Sequence, residues 1–133
     1  QKITAGLICG TKSRRAPESL VTASPEERVV DLLAKMSELG ITQIPVLEDG
    51  RSVGSARENR ILAKALANRE LLESPVSAVM EQGFPIVDVD ASSTEVTRKL
   101  QESPAVLVEE YGRITGIITR HDMLDTPALS TGR

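Results

Sequence analysis

The chain has 133 residues, 40% of them hydrophobic and 26% charged, with a formal net charge of −3. That is the profile of a folded globular protein, with room for one ordinary domain or two small halves sharing a core. Aromatic residues make up only 2%, so the core must be aliphatic and stacking platforms for single-stranded nucleic acid are lacking. The acidic balance gives no pull toward nucleic acid or anionic membranes, and no apolar run approaches the roughly 20 residues that span a bilayer.

The elements follow one another in a repeated order. Thr4–Ile8 reads as a brief helical lead-in and Gly10–Pro17 as a polar, basic loop. Ser19–Ala23 is a short extended run. Ser24-Pro25-Glu26-Glu27 predicts a helix start, with a serine cap, proline at the first helical position and Glu27 closing a capping box. Val29, Leu32, Leu33, Met36 and Leu39 then recur at helical spacing and predict a buried face, ended by Gly40. Ile44–Leu47 is a strand, Glu48-Asp49-Gly50 a turn, Ser52–Ala56 a strand and Arg57–Asn68 a helix. After a link, Ser77–Met80 is the counterpart of the lead-in. Pro85–Val89 is extended, and a helix runs from about Ser92 to Glu102, with Ser92 and Glu95 spaced as a capping box or Asp90 as the cap. Ala105–Glu109 and Arg113–Ile118 are strands around a turn at Tyr111-Gly112, and a last helix begins at Thr119.

Gly50-Arg51-Ser52-Val53-Gly54 thus returns as Gly112-Arg113-Ile114-Thr115-Gly116. The second copy ends in Thr119-Arg120-His121-Asp122, where the first has Arg57, Glu58, Asn59 and Arg60. A hydroxyl three residues before a carboxylate at a helix start can hold a sugar and a phosphate; it is also a capping pattern, and the two roles are compatible. The expected units are a first repeat over 1–68, a link over 69–75, a second repeat over 76–127 and a tail over 128–133. Each half is too small to bury its own sheet well. The expectation is therefore an α/β (α+β) fold of two β-α-β-β-α units packed about a pseudo-twofold axis.

The element order, the duplication and Gly116-Ile117-Ile118-Thr119-Arg120-His121-Asp122 together resemble a tandem pair of CBS domains, a Bateman module. Gly40–Val46, Phe84–Asp88, Pro104–Val108 and Gly116–Leu124 are similar to the regulatory C-terminal region of cystathionine beta-synthase. The resemblance implies a non-catalytic sensor of an adenosyl compound, S-adenosylmethionine or AMP/ATP, with no cofactor in this chain. It also implies a homodimer, and an N-terminal pyridoxal-phosphate enzyme domain missing from a chain that begins at Gln1. In such a site Thr119 and Asp122 take the ribose. Leu20, Val21, Thr22, Ile41, Thr42, Gln43 and Ile44 supply the adenine slot, and Ile117 and Ile118 wall it. A second, degenerate cleft would combine Arg57 and Arg60, which accept no hydrogen bonds, with Phe84, Pro85, Ile86 and Val87. There Arg60 either fills the space or reaches toward a charged group on the ligand of the other cleft.

Thr42 and Gln43 also fit a solvated strand entrance. His121 is a lone histidine without the company a metal needs, and Lys12, Arg14 and Arg15 read as a solvated basic loop. Cys9 is the only cysteine, which rules out an intrachain disulfide and points to the cytoplasm. No nucleophile, base or metal set is gathered as an enzyme requires. The competing expectation is a ligand-free dimerisation scaffold.

Overall fold

The computed structural model describes residues 3–9 and 20–125. Lys12, Arg14, Arg15 and the 128–133 tail lie outside them. The chain forms two compact units, Val21–Gly83 and a second made from both ends of the sequence. Each contains a hairpin flanked by helices, so the fold is α+β.

In the Val21–Gly83 unit, helix α2 spans Val29–Leu39 and buries Val29, Leu32 and Met36, while Leu39 at its end is exposed. A short helix, α1, precedes it in the chain at residues 5–9. Helix α2 begins later than the capping residues suggest. Only half of the expected box forms: the Ser24 amide donates to Glu27 Oε1 at 3.2 Å, while Ser24 Oγ accepts from the Glu26 amide at 3.3 Å and the Glu27 amide donates to Ser24 O at 3.2 Å. These bonds close a turn, because the next residues are committed elsewhere. The Val76 amide donates to Glu27 O at 2.7 Å and the Val29 amide to Ser74 O at 2.9 Å, which holds Arg28 extended. Gly40 ends α2 at φ 69°, a left-handed conformation natural to glycine.

Strands β1 (Gln43–Glu48) and β2 (Arg51–Arg57) pair antiparallel through a turn at Asp49-Gly50. Among the described residues the expected extended run before α2 contributes one parallel bridge, Ala23 to Val46. Helix α3 (Glu58–Ala67) follows β2 directly, and a 3-10 turn at Arg69–Glu73 comes next. Arg28 ties this turn to α2, with Nη1 at 2.6 Å from Glu73 Oε1 and Nε at 3.2 Å from Asp31 Oδ2. The Asp31 hydrogen bond first, then that of Glu73, raises the guanidinium's pKa. The group is exposed, so the tie positions more than it stabilises. Val76 and Val79 enter the same aliphatic core as Leu32, Ile44, Val46 and Ile61.

In the other unit β3 (Ile86–Asp88) runs parallel to β4 (Ala105–Glu110), which pairs antiparallel with β5 (Arg113–Thr119). Helix α4 (Ser93–Leu100) starts at Ser92, whose hydroxyl accepts from the Glu95 amide at 3.2 Å, the capping expected. Helix α5 spans Arg120–Asp125. The core joins Val87, Val96, Leu100, Val106, Val108 and Ile118 to Ala5 and Ile8 of α1. The Ala5 and Gly6 amides each donate at 2.8 Å, to Ala91 O and Val89 O. Gly6 permits that approach, since a Cβ there would stand 2.6 Å from Val89 Cγ2. The repeat in sequence and the unit in space therefore differ: the lead-in at 3–9 packs with the later repeat, and 76–83 with the earlier one. No helix among the described residues is long and apolar enough to cross a membrane.

Two outcomes test this packing. Ile8→Ala should cost about 2–5 kcal/mol in urea unfolding, as a buried aliphatic deletion does; a loss under 1 kcal/mol would mean that α1 is a dispensable arm. Tyr111, 95% exposed at φ 55°, occupies the turn position held by Asp49 in the first hairpin. Tyr111→Asn should therefore stabilise by about 0.5–1 kcal/mol, because asparagine tolerates the left-handed region better.

Candidate functional site

Each hairpin delivers its last residue to the start of a helix, where backbone N–H groups lack intrahelical partners. After β5 the sequence answers this need itself. The Thr119 amide donates to Asp122 Oδ2 at 2.9 Å, and the Asp122 amide donates to Thr119 Oγ1 at 3.3 Å. This is a reciprocal box. Asp122 is only 9% exposed and Thr119 is half-buried. The adjacent Arg120 is turned away, its Nε donating to Leu100 O at 2.6 Å, which anchors α5 to the end of α4. Asp122 thus presents a carboxylate whose orientation is fixed through one oxygen. A carboxylate oxygen has capacity for more than one donor, so the box and a sugar hydroxyl are compatible.

The residues leading into the box are apolar and buried. Ile118 belongs to the core of its unit, while Ile117, 8% exposed, points to the other face of the strand beside its ladder partner Leu107. Of the residues expected on the degenerate side, Phe84 and Val87 are buried, Pro85 is half-buried and Ile86 is 42% exposed. The Pro85 carbonyl accepts from the Leu107 amide at 2.8 Å.

In the Val21–Gly83 unit the expected slot residues lie along one sheet end. Val21 and Ile41 pack partly against the core, and Ile44 is fully inside it. Thr42 is exposed and Gln43 half-buried, while Leu20, outside this unit, is also half-buried. Backbone groups here are engaged: Thr22 O accepts from Lys35 Nζ at 2.9 Å, and Thr42 O from the Glu58 amide at 2.9 Å.

The start of α3 is built differently from that of α5. No side chain caps it. Arg60 Nη1 lies 2.6 Å from Glu81 Oε1, and Lys64 Nζ lies 3.9 Å from Glu81 Oε2. Arg60 is therefore matched by a carboxylate from the residues after the second 3-10 turn, Val76–Ala78. Glu81 went unrecognised in the sequence because its approach depends on a long-range backbone bridge to Ser55, which no local pattern signals. Arg57 has its Nε buried without a hydrogen-bond partner among the described residues.

Elsewhere, a groove of about 490 Å³ runs along α4 and α5, lined by Thr97, Leu100, Gln101, Arg120 and Met123. It shares only Arg120 with the stretch of sequence around the box. Among the described residues no group of three or more His, Cys, Asp or Glu side chains is gathered to hold a metal.

Comparison with known proteins adds the family. The CBS domain profile matches the chain twice, over residues 17–66 and 76–128. A zinc metalloprotease of Methanocaldococcus jannaschii is 31% identical over 98 residues, which are 74% of this chain and 25% of that protein. The chain thus spans a quarter of that relative's length. Among solved structures, a CBS domain-containing protein of unknown function from Bacillus anthracis aligns over 100% of this chain and 96% of its own, with a TM-score of 0.82 and 21% identity. A protein described as a signal-transduction protein with CBS domains, from Burkholderia ambifaria, aligns over 98% and 97%, with a TM-score of 0.78 and 20% identity. At these identities the structural likeness speaks for the fold.

The box predicts its own energetics. Asp122→Ala should destabilise the chain by about 0.5–2 kcal/mol, the usual cost of a lost cap. Combining it with Thr119→Ala should cost less than the sum of the two changes, because each side chain serves the other's amide. Strict additivity in urea unfolding would show that the two residues act independently.

Proposed function

Because the chain belongs to the CBS domain family as a tandem pair, we propose that it is a non-catalytic regulatory module that binds an adenosyl compound, S-adenosylmethionine or AMP/ATP. CBS domain pairs are typically regulatory or signal-transduction modules, and the family commonly binds adenosyl ligands and often dimerises. The observation that carries the proposal is the contrast between the two helix starts. One keeps a buried, oriented carboxylate beside a hydroxyl, and the other carries arginines.

In this reading Asp122 accepts from the ribose hydroxyls and Thr119 assists. Leu20, Val21, Thr22 and Ile41–Ile44 read the base, with Ile117 and Ile118 as apolar walls. Binding controls an enzyme through unequal affinity for two arrangements of the module, the only way in which a ligand shifts an equilibrium. The controlled enzyme is an attached or partner protein, and the resemblance of Gly40–Val46 and Gly116–Leu124 favours one like cystathionine beta-synthase. The match within a much longer metalloprotease supports attachment to a larger enzyme as a general arrangement. A homodimer located in the cytoplasm completes the proposal.

A ligand-free dimerisation scaffold is the second reading. One observation favours it: Thr119 and Asp122 already satisfy each other, so the helix start needs no ligand.

Thermal-shift measurements with AMP, ADP, ATP and S-adenosylmethionine at millimolar levels separate the two. A ligand present at a hundred times its Kd stabilises by about 2.7 kcal/mol. An unchanged melting temperature with all four would favour the scaffold. In calorimetric titration Asp122→Ala should weaken binding by about 1.5–3 kcal/mol, with Arg60→Ala affecting it far less. Equal losses would move the site to the other helix start.

A further inference from the structure

The chain passes between the two units at two places, and one of them is the step from Gly83 to Phe84. The residues before that step run beside the outer edge of β2, where Ser55 bridges to Glu81. Val79 is the last of them inside the aliphatic core. Met80 packs only partly against that core, Glu81 and Gly83 are half-buried, and Gln82 is exposed. Apolar burial therefore contributes little to holding Met80–Gly83 in place.

Polar contacts hold it instead. The Ser55 amide donates to Glu81 O at 2.9 Å and the Glu81 amide to Ser55 O at 2.8 Å. Ser55 Oγ donates to Gln82 O at 2.7 Å. Two glycines let the backbones close. A Cβ on Gly54 would stand 2.7 Å from Met80 Sδ and 2.9 Å from Glu81 O, and one on Gly83 would stand 2.6 Å from Ser52 Oγ. The Glu81 carboxylate then sits between two cations of α3, 2.6 Å from Arg60 Nη1 and 3.9 Å from Lys64 Nζ. Lys64 also donates to Val79 O at 3.0 Å. All three charged side chains are partly exposed, so this clasp is weak and screened by salt. A segment with few apolar contacts and solvent-exposed polar ones opens at lower cost than the core beneath it.

We infer that Met80–Gly83 is a detachable strap, fastened to β2 by the Ser55 pairing and to α3 by Glu81, which opens as a unit while the core of Val21–Gly83 stays folded. Opening moves the last fixed residue before the crossing back from Gly83 to Val79. At roughly 3.3–3.6 Å per residue, the freed stretch adds about 13–14 Å of slack to one of the two links between the units. The strap thus supplies a second arrangement, which a regulatory module must have before any ligand can favour one. The opening itself needs no ligand, so its test stands apart from the adenosyl reading.

Native-state hydrogen exchange on the 133-residue chain tests it. The Leu32 amide of α2, bonded to Arg28 O at 3.0 Å, reports the core. The Ser55 and Glu81 amides should exchange together, faster than Leu32 and with a weaker dependence on denaturant, because opening the strap exposes little surface. Glu81→Gln should speed both about 2–5-fold, the range for one exposed ion pair, and leave Leu32 unchanged. Added salt should speed both relative to Leu32 in the unaltered chain but not in Glu81→Gln. Glu73→Gln removes the same charge from the Arg28 pair and should leave Ser55 and Glu81 as they are. Gly54→Ala sets a Cβ against Met80 and Glu81 and should speed the same two amides without any change of charge. Exchange of Ser55 and Glu81 at the rate of Leu32, with the same denaturant dependence, would overturn the strap, since the segment would then open only with its whole unit. Acceleration of all three amides alike in Glu81→Gln, or of none, would overturn the role of Glu81 as its fastening.

Discussion

A helix that begins directly after a strand must find acceptors for its first N–H groups. Both units meet this constraint at the same step of the repeat and resolve it in different ways. After β5, Thr119 and Asp122 exchange hydrogen bonds with each other's amides. This aligns a carboxylate that is almost fully buried. After β2 no side chain caps the helix, and the Glu58 amide bonds to a backbone carbonyl, Thr42 O. With that amide served from the residue before β1, the side chains at 57 and 60 are released from capping it, and arginine becomes possible at both. The functional asymmetry proposed for the module follows from that difference in who supplies the acceptor.

The same economy of backbone pairing shapes the rest of each unit. A two-stranded hairpin is marginal alone, so each sheet recruits segments distant in sequence. Ala23 bridges to Val46, and Glu81 to Ser55, in one unit. In the other, β3 lines up beside β4, and α1 donates to the carbonyls that follow β3. The ion pair between Arg60 and Glu81 is a by-product of this recruitment, because the bridge to Ser55 carries Glu81 to α3. Packing and charge placement are in this sense one event. Both cores are aliphatic, as a chain with so few aromatic residues requires.

Much of this was legible in the sequence because it is local. Gly40, the Ser92 cap, the two turns and the helix and strand order all follow from a few neighbouring residues whose conformational demands leave little choice. The repeat gave the family, and the spacing of Thr119 and Asp122 gave the box. What escaped was everything decided by distant pairing. Helix α2 starts at Val29 because 74–76 claim the backbone of Glu27 to Val29. Residues 3–9 pack with the later repeat and 76–83 with the earlier, although their order in the sequence suggests the reverse. Glu81 lies in a stretch that reads as connection, and Arg57 and Arg60 look equivalent in sequence until Arg60 is seen paired with Glu81 and Arg57 with its Nε buried and lacking an acceptor among the described residues.

The central claim is that the Thr119–Asp122 box serves as a sugar-binding group while it caps α5. The most direct measurement follows the backbone amide resonances of isotope-labelled protein during titration with AMP. Saturable shifts at the Thr119 and Asp122 amides, where any change in the carboxylate's partners must register, are the predicted result. Saturation elsewhere with these two amides unmoved, or no response to the nucleotide at all, would contradict it.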